Sequence, residues 1–166
     1  MKHLSKVALV VAGLALAACS QPHLDGSGTG PGTGVGENGN PSDPTSVAYF
    51  NETIGDRVLF EVDQSTLSEQ GRLVVLAQAN WLLANTDYTA VIEGHADEQG
   101  TREYNLALGA RRAASVQELL VSQGVAANRL STVSYGKERP IEVCSQEACY
   151  AQNRRSVTVL TAGLSG

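Results

Sequence analysis

The chemistry in this chain gathers in one loop and the helix that follows it. Gly94-His95-Ala96-Asp97-Glu98 puts an imidazole and two carboxylates side by side. Thr101 is suited to cap a helix from Arg102 to Ser122, with Glu103 in its favourable first turn. At about 100° per residue, with Leu108 as zero, Leu119, Val116, Leu120, Ala113 and Leu106 fall on one stripe between about 20° and about 160°. Arg111 falls outside it, near about 300°, but Arg112 falls inside it, near about 40°. Asn105, near about 60°, shares the stripe. A guanidinium carried into a core is costly unless something holds it. The nearest candidate partners are in the loop, at the C-terminal edge of a predicted strand, where α/β folds tend to place ligands.

Asp97 and Arg112 can therefore flank one pocket. A carboxylate beside a guanidinium receives a zwitterion: Asp97 takes an ammonium and Arg112 takes a carboxylate, often through two parallel hydrogen bonds. The alternative is an internal Asp97–Arg112 ion pair that only organises the loop. A metal or acid–base reading of His95, Asp97 and Glu98 is weaker. A hydrolytic metal site wants about three well-placed ligands, and His95 has no second histidine in the domain. No metal and no cofactor is expected, and no nucleophile elbow is present to support a hydrolase.

The elements that must position these residues begin at Val47. Val58-Leu59-Phe60-Glu61-Val62 reads as a strand. Leu67 to Asn85 reads as a helix, with a capping box at Thr66 and Glu69 and a stripe through Leu73, Leu76, Ala77, Asn80, Leu83 and Ala84, widened by Trp81 and Leu82. Thr89 to Glu93, Leu130 to Tyr135 and Ser156 to Thr161 are three further strands, and Gly124 stops the second helix. The order β-α-β-α-β-β predicts a two-layer α/β (α+β) sandwich.

The chain before Val47 has a different character. Lys2 and Lys6 precede an uncharged run from Val7 to Ala18, too short to span a bilayer but fitting a signal peptide over residues 1–18. Leu16-Ala17-Ala18-Cys19 resembles a lipobox, which predicts lipidation and cleavage at Cys19. Residues 19–46 then form a lipidated N-terminus and a flexible Gly/Ser/Pro linker, of the order of 25–30 Å for a Gly-rich coil. Residues 47–166 form the domain. Cys144 and Cys149 lie between the third and fourth strands, and an exported chain predicts that they pair as a disulfide. Arg154 and Arg155 open the fourth strand and read as edge or surface charges that pair with nearby acids. The formal net charge is −5, which argues against nucleic acid as a ligand.

Several of these stretches together resemble a known family. They are Val91 to Thr101, Glu103-Tyr104-Asn105, Leu108-Gly109 and Arg111-Arg112-Ala113, extended by Val133 to Pro140 and Asn153-Arg154-Arg155. The pattern resembles the OmpA C-terminal-like domain, and with the lipobox and linker the chain resembles that family's lipid-anchored branch, the peptidoglycan-associated lipoproteins. The resemblance implies an OmpA-C-like fold and no enzymatic activity. It implies reversible binding to the diaminopimelate of peptidoglycan stem peptides, with Asp97 and Arg112 as the recognition pair. Leu108 and Asp63 would support them, with Asn105 at a position usually Asn in the motif. It also implies attachment to the periplasmic face of the outer membrane, in keeping with Ser20 after the lipidated Cys, and partnership with TolB and possibly TolA. The chain departs from the pattern at Glu61, where Asp is common, at Arg102, where Pro is frequent, and in its Cys144–Cys149 pair.

Overall fold

The structure, a computed structural model, describes residues 39–162. The predicted signal peptide, Cys19 and most of the predicted linker lie outside the described residues. Within them the chain forms a short helix α1 (Val47–Tyr49) running into a π-helical turn (Phe50–Gly55), then β1 (Arg57–Leu59), α2 (Glu69–Ala84), β2 (Tyr88–His95) and α3 (Arg102–Ser122). A 3-10 turn (Ala127–Arg129), β3 (Leu130–Gly136), α4 (Glu147–Asn153) and β4 (Arg155–Ala162) complete it.

The four strands make one sheet in the order β1-β4-β2-β3. β2 and β3 are parallel, joined by α3 as the crossover that a parallel pair requires. β4 runs antiparallel to both β1 and β2. Ala90 and Ile92 of β2 point into the core, where they meet Val75, Ala79 and Leu82 of α2 and Ala113, Val116 and Leu120 of α3. The two-layer α/β sandwich is as expected, and the extra elements are short.

Local details differ from the sequence reading, each for a physical reason. β1 stops at Leu59 rather than Val62 because the chain turns at Glu61–Gln64, where the Gln64 amide donates to the Glu61 carbonyl at 3.1 Å. Asp63, expected at the strand's end, sits in that turn with φ of 56°. α2 is capped by Ser68, whose hydroxyl accepts from the Gly71 amide at 3.1 Å, so the box at Thr66 is not used. Gly71 has a packing reason: a Cβ there would lie 2.7 Å from Val58 Cγ1.

The buried face of α2 matches the predicted stripe only at its widening, Trp81 and Leu82. It runs through Gly71, Val75, Gln78, Ala79, Trp81 and Leu82, whereas Leu73 is 57% exposed and Asn80 and Leu83 face solvent. A helix apolar on nearly every side gives periodicity little to discriminate. Buried Gln78 marks the true inner face, because its amide donates to the Gly55 carbonyl at 2.7 Å and its oxygen accepts from Thr158 Oγ1 at 2.8 Å. The stripe on α3 is correct except at its edge, where Leu106 is half exposed.

The domain also begins earlier than Val47. The Trp81 indole donates to the Pro44 carbonyl at 2.8 Å, and the Tyr88 hydroxyl donates to the Thr45 carbonyl at 3.0 Å. Ser46 caps α1 and is buried. The last predicted linker residues are thus fastened to the start of β2 and the end of α2.

Candidate functional site

Two glycines let α3 lie against β2 closely enough to form a site. A Cβ on Gly94 would fall 1.8 Å from the Gly109 carbonyl oxygen, and one on Gly109 would fall 2.4 Å from Ser134 Oγ. This contact seats the first turns of α3 beside the loop that leaves β2, and there the two elements and the turn after β1 enclose a cleft of about 290 Å³. Asp63, Asp97, Asn105, Leu108 and Arg112 all line it, together with Val62, Gln99, Gly100 and Tyr104. All five residues singled out in the sequence are therefore brought together.

Arg112 is completely buried, in agreement with its position on the helix stripe, while Arg111 is exposed. Backbone carbonyls hold it. Nε donates to Gln64 at 2.8 Å, Nη1 to His95 at 2.8 Å and Nη2 to Glu61 at 3.2 Å. Its guanidinium carbon lies 5.3 Å from the centre of the Phe60 ring, a cation–π contact. A guanidinium has five N–H donors, so each Nη keeps one for another partner. Burial pulls its pKa down to about 10, with nearby Asp97 opposing, and it stays a cation at neutral pH.

Asp97 is 8% exposed, and its ion-pair partner is not Arg112. Oδ2 accepts from Arg154 Nη1 at 3.2 Å, and Oδ1 accepts from the Gln99 amide at 3.2 Å. Among the described residues no hydrogen bond or ion pair joins Asp97 to Arg112. The internal bridge weighed in the sequence is thus absent, and Arg154 stands in its place. Arg154 and Arg155 are each only 4% exposed, which corrects their reading as edge or surface charges, while Arg154 does pair with acids, Asp97 and Glu147. Strand alternation alone would turn only one of such a doublet inward; both are buried because Arg154 lies before β4, between Asp97 and Glu147, while Arg155 donates to the Asn153 and Arg139 carbonyls. Burial opposes the charge of Arg154, but the hydrogen bonds it donates to Glu147 and Asp97 more than compensate and hold its pKa above the usual arginine value.

The rim is built by α3 and two loops. The Asn105 amide donates to the Gln99 carbonyl at 2.7 Å, which shapes the loop, and Leu108 gives the cleft an apolar wall. Lys137 donates to the Gly100 carbonyl at 2.7 Å and fixes that loop from outside. The Tyr104 hydroxyl donates to Asp63 Oδ1 and ties α3 to the turn after β1. The sequence reading gave Tyr104 no part, although its place beside Asn105 on the first turn of α3 was the available clue.

His95 serves the site through its backbone alone. Its ring is 1% exposed and packs 5.5 Å from the Tyr135 ring. Glu93 Oε2 lies 3.4 Å from Nε2, yet neither ring nitrogen makes a hydrogen bond. Burial, reinforced by Arg155 and Arg139, lowers its pKa to about 4. No group of three or more metal-binding side chains occurs among the described residues. Because the folded-state pKa lies below the ordinary value of 6.5, the stability of the neutral ring is complete above that pH. It is lost as pH falls from 6.5 towards 4, by an amount on the order of 3 kcal/mol. Urea midpoints measured across that window should fall for the natural chain and stay flatter for His95→Gln.

Cys144 and Cys149 are joined as a disulfide, with Cα atoms 5.9 Å apart, across the start of α4.

Comparison with known proteins follows the same outline. The model of the OmpA family matches residues 59–154. The peptidoglycan-associated lipoprotein of Mesorhizobium japonicum is 47% identical over 153 residues, covering 92% of this chain and 89% of that protein. That of Rhizobium meliloti is 48% identical over 155 residues, covering 93% and 85%. Among solved structures, the peptidoglycan-associated lipoprotein from Burkholderia pseudomallei is similar with a TM-score of 0.66 and 34% identity, over 72% of this chain and 100% of that one. The C-terminal domain of Helicobacter pylori MotB has a TM-score of 0.61 at 22% identity, over 66% of this chain and 86% of that one, a likeness of fold alone.

Proposed function

Since the chain belongs to the OmpA family, among its peptidoglycan-associated lipoproteins, we propose that its cleft binds the diaminopimelate of peptidoglycan stem peptides without making a bond. The free end of that residue's side chain carries an ammonium and a carboxylate. Asp97 takes the ammonium. Arg112 offers its two remaining N–H groups, one on each Nη, to the carboxylate, in the parallel geometry that suits a fork. Leu108 packs against the methylene chain between them, Asp63 adds negative charge at the ammonium end, and Asn105 keeps the loop in shape. The observation that carries this reading is the separation of the two charges. Asp97 and Arg112 line one cleft without bonding to each other, so a ligand does not have to break a bridge between them.

The rest of the reading follows from the sequence and the family. Cys19, lipidated on its thiol and made the N-terminus by cleavage, anchors the chain in the outer membrane, and the domain grips the wall. Multiple acyl chains make such an anchor stable, because each buried CH₂ contributes about 0.8 kcal/mol. Among the described residues no helix is long and apolar enough to cross a membrane. TolB, and through it the Tol envelope system with TolA, is the protein partner we assign by family membership. The chain works as a tether and not as an enzyme.

Calorimetric titration of the purified chain with a diaminopimelate stem peptide, beside the same peptide carrying lysine, tests the central point. Lysine keeps the ammonium and lacks the side-chain carboxylate, so Arg112 is left without a partner. Binding of the diaminopimelate peptide should be at least about tenfold tighter, the scale of one lost charge-assisted hydrogen-bonded contact. Equal affinity for both peptides would remove Arg112 from the site. Intact-mass measurement of the envelope-extracted protein should show acyl chains on Cys19.

A further inference from the structure

Behind Asp97, outside the lining of the cleft, lies a pair of charges that the zwitterion reading does not use. Arg154 is almost buried and is shared by two carboxylates. Nη1 reaches Asp97 at 3.2 Å, Nη2 reaches Glu147 Oε1 at 2.5 Å, and Nε donates to the Phe60 carbonyl at 3.1 Å. The shorter contact is to Glu147, the first residue of α4. Asp97, Arg154 and Glu147 carry a net charge of −1 between them, whereas Asp97 and Arg154 alone are neutral. Glu147 therefore decides whether Asp97 presents a net negative charge to the cleft or is spent on Arg154.

Glu147 is in turn poorly secured by its own helix. α4 has seven residues, its N-cap Gln146 makes no side-chain capping bond, and the Glu147 side chain is 65% exposed. So short a helix is marginal without tertiary support. Two devices hold it. At its end, Asn153 is buried, accepts from the Ile141 and Glu142 amides at 2.9 and 3.1 Å, and donates to Glu98 Oε1 at 2.9 Å. At its start, the Cys144–Cys149 disulfide spans Glu147. The disulfide thus staples the one turn from which Glu147 reaches Arg154.

We propose that α4 tunes the cleft: Glu147, seated by the Cys144–Cys149 disulfide, draws Arg154 off Asp97 and leaves Asp97 negative enough to hold an ammonium group. Glu147 is a positioning residue that acts through Arg154, and the inference rests on the function proposed above.

The test is calorimetric titration of the full chain in detergent with a diaminopimelate stem peptide. The proteins are the natural chain, Glu147→Gln, the double variant Cys144→Ser/Cys149→Ser, and all three changes together. Glu147→Gln keeps a hydrogen-bonding oxygen and removes the charge, so the fold is spared. It should weaken binding about three- to fivefold at low salt, the range for a partly exposed charge. The loss should vanish near 1 M salt, where the screening length is about 3 Å. The serine pair should weaken binding to a similar extent, and combining the changes should add nothing further. If Glu147→Gln binds as tightly as the natural chain, or if its deficit survives high salt, the inference is overturned. Independent, additive losses would remove the disulfide from it. Failure of the natural chain to bind would instead overturn the reading of the cleft itself.

Discussion

Asp97→Asn should abolish most retention of the chain on isolated sacculi. The change keeps the shape of the side chain and removes its charge. The ammonium of the ligand would then enter a nearly dry site that holds Arg112 and Arg154 with no opposing charge from Asp97. Removing one partner of a desolvated charge pair costs about 2–5 kcal/mol, at least about thirtyfold in affinity. Arg112 requires a gentler substitution than alanine. Its side chain satisfies the carbonyls of Glu61, Gln64 and His95, and stranding a buried acceptor such as that of His95 costs about 1–3 kcal/mol. Arg112→Ala should lose both binding and fold, so it cannot separate the two. Arg112→Lys keeps the charge and loses the planar fork, and should bind weakly while remaining folded by circular dichroism. Arg111→Ala, on the exposed side of the same helix, should leave sacculus binding within about twofold, in line with other surface substitutions. A larger loss at Arg111 than at Asp97 would place the ligand on another face of α3.

The second large effect belongs to Gly94. An alanine Cβ there would sit 1.8 Å from the Gly109 carbonyl oxygen and 2.6 Å from its carbon. Both obstacles are backbone atoms in the middle of α3, so no side-chain rotation relieves them. The helix must lift from the sheet along the line that also carries Ala113 and Arg112. Gly94→Ala should cost about 3 kcal/mol or more, at the top of the range for overpacking. Loss of sacculus binding should accompany it. Gly55→Ala is the control. Gly55, unlike Gly94, has a positive φ, of 92°, and its nearest neighbour would be Val74 Cγ1 at 3.8 Å, so the backbone strain acts alone and the cost should be nearer about 1 kcal/mol. Chemical denaturation of both variants decides the matter.

How far such residues can be read from sequence depends on what specifies them. Arg112 was legible because a charge at an apolar helical position is an anomaly, and α3 has one clear polar side to set it against. Its Thr101 cap was equally plain. α2 was misread because Leu73, Leu76 and Leu83 offer an apolar stripe as good as the buried one, and only long-range bonds from Gln78 choose between them. The turn at Glu61–Gln64 was not legible at all. Its carbonyls face inward because Arg112, distant in sequence, needs acceptors. Likewise Asp97 and Arg112 were placed in one cleft by sequence, but the identity of Asp97's partner depends on how β4 enters the sheet. α4 was passed over because seven residues without a cap carry little local signal.

The ends of β2 have a mechanical meaning. Pro44 and Thr45 are fastened beside Tyr88, where that strand starts, and the cleft opens beyond His95, where it finishes. Were Cys19 lipidated and the cleft to hold the wall, as proposed, a pull between envelope layers would be transmitted lengthwise down a single central strand. Its neighbours on both sides must then slip along it with many bonds strained together, which resists load far better than unzipping them one at a time.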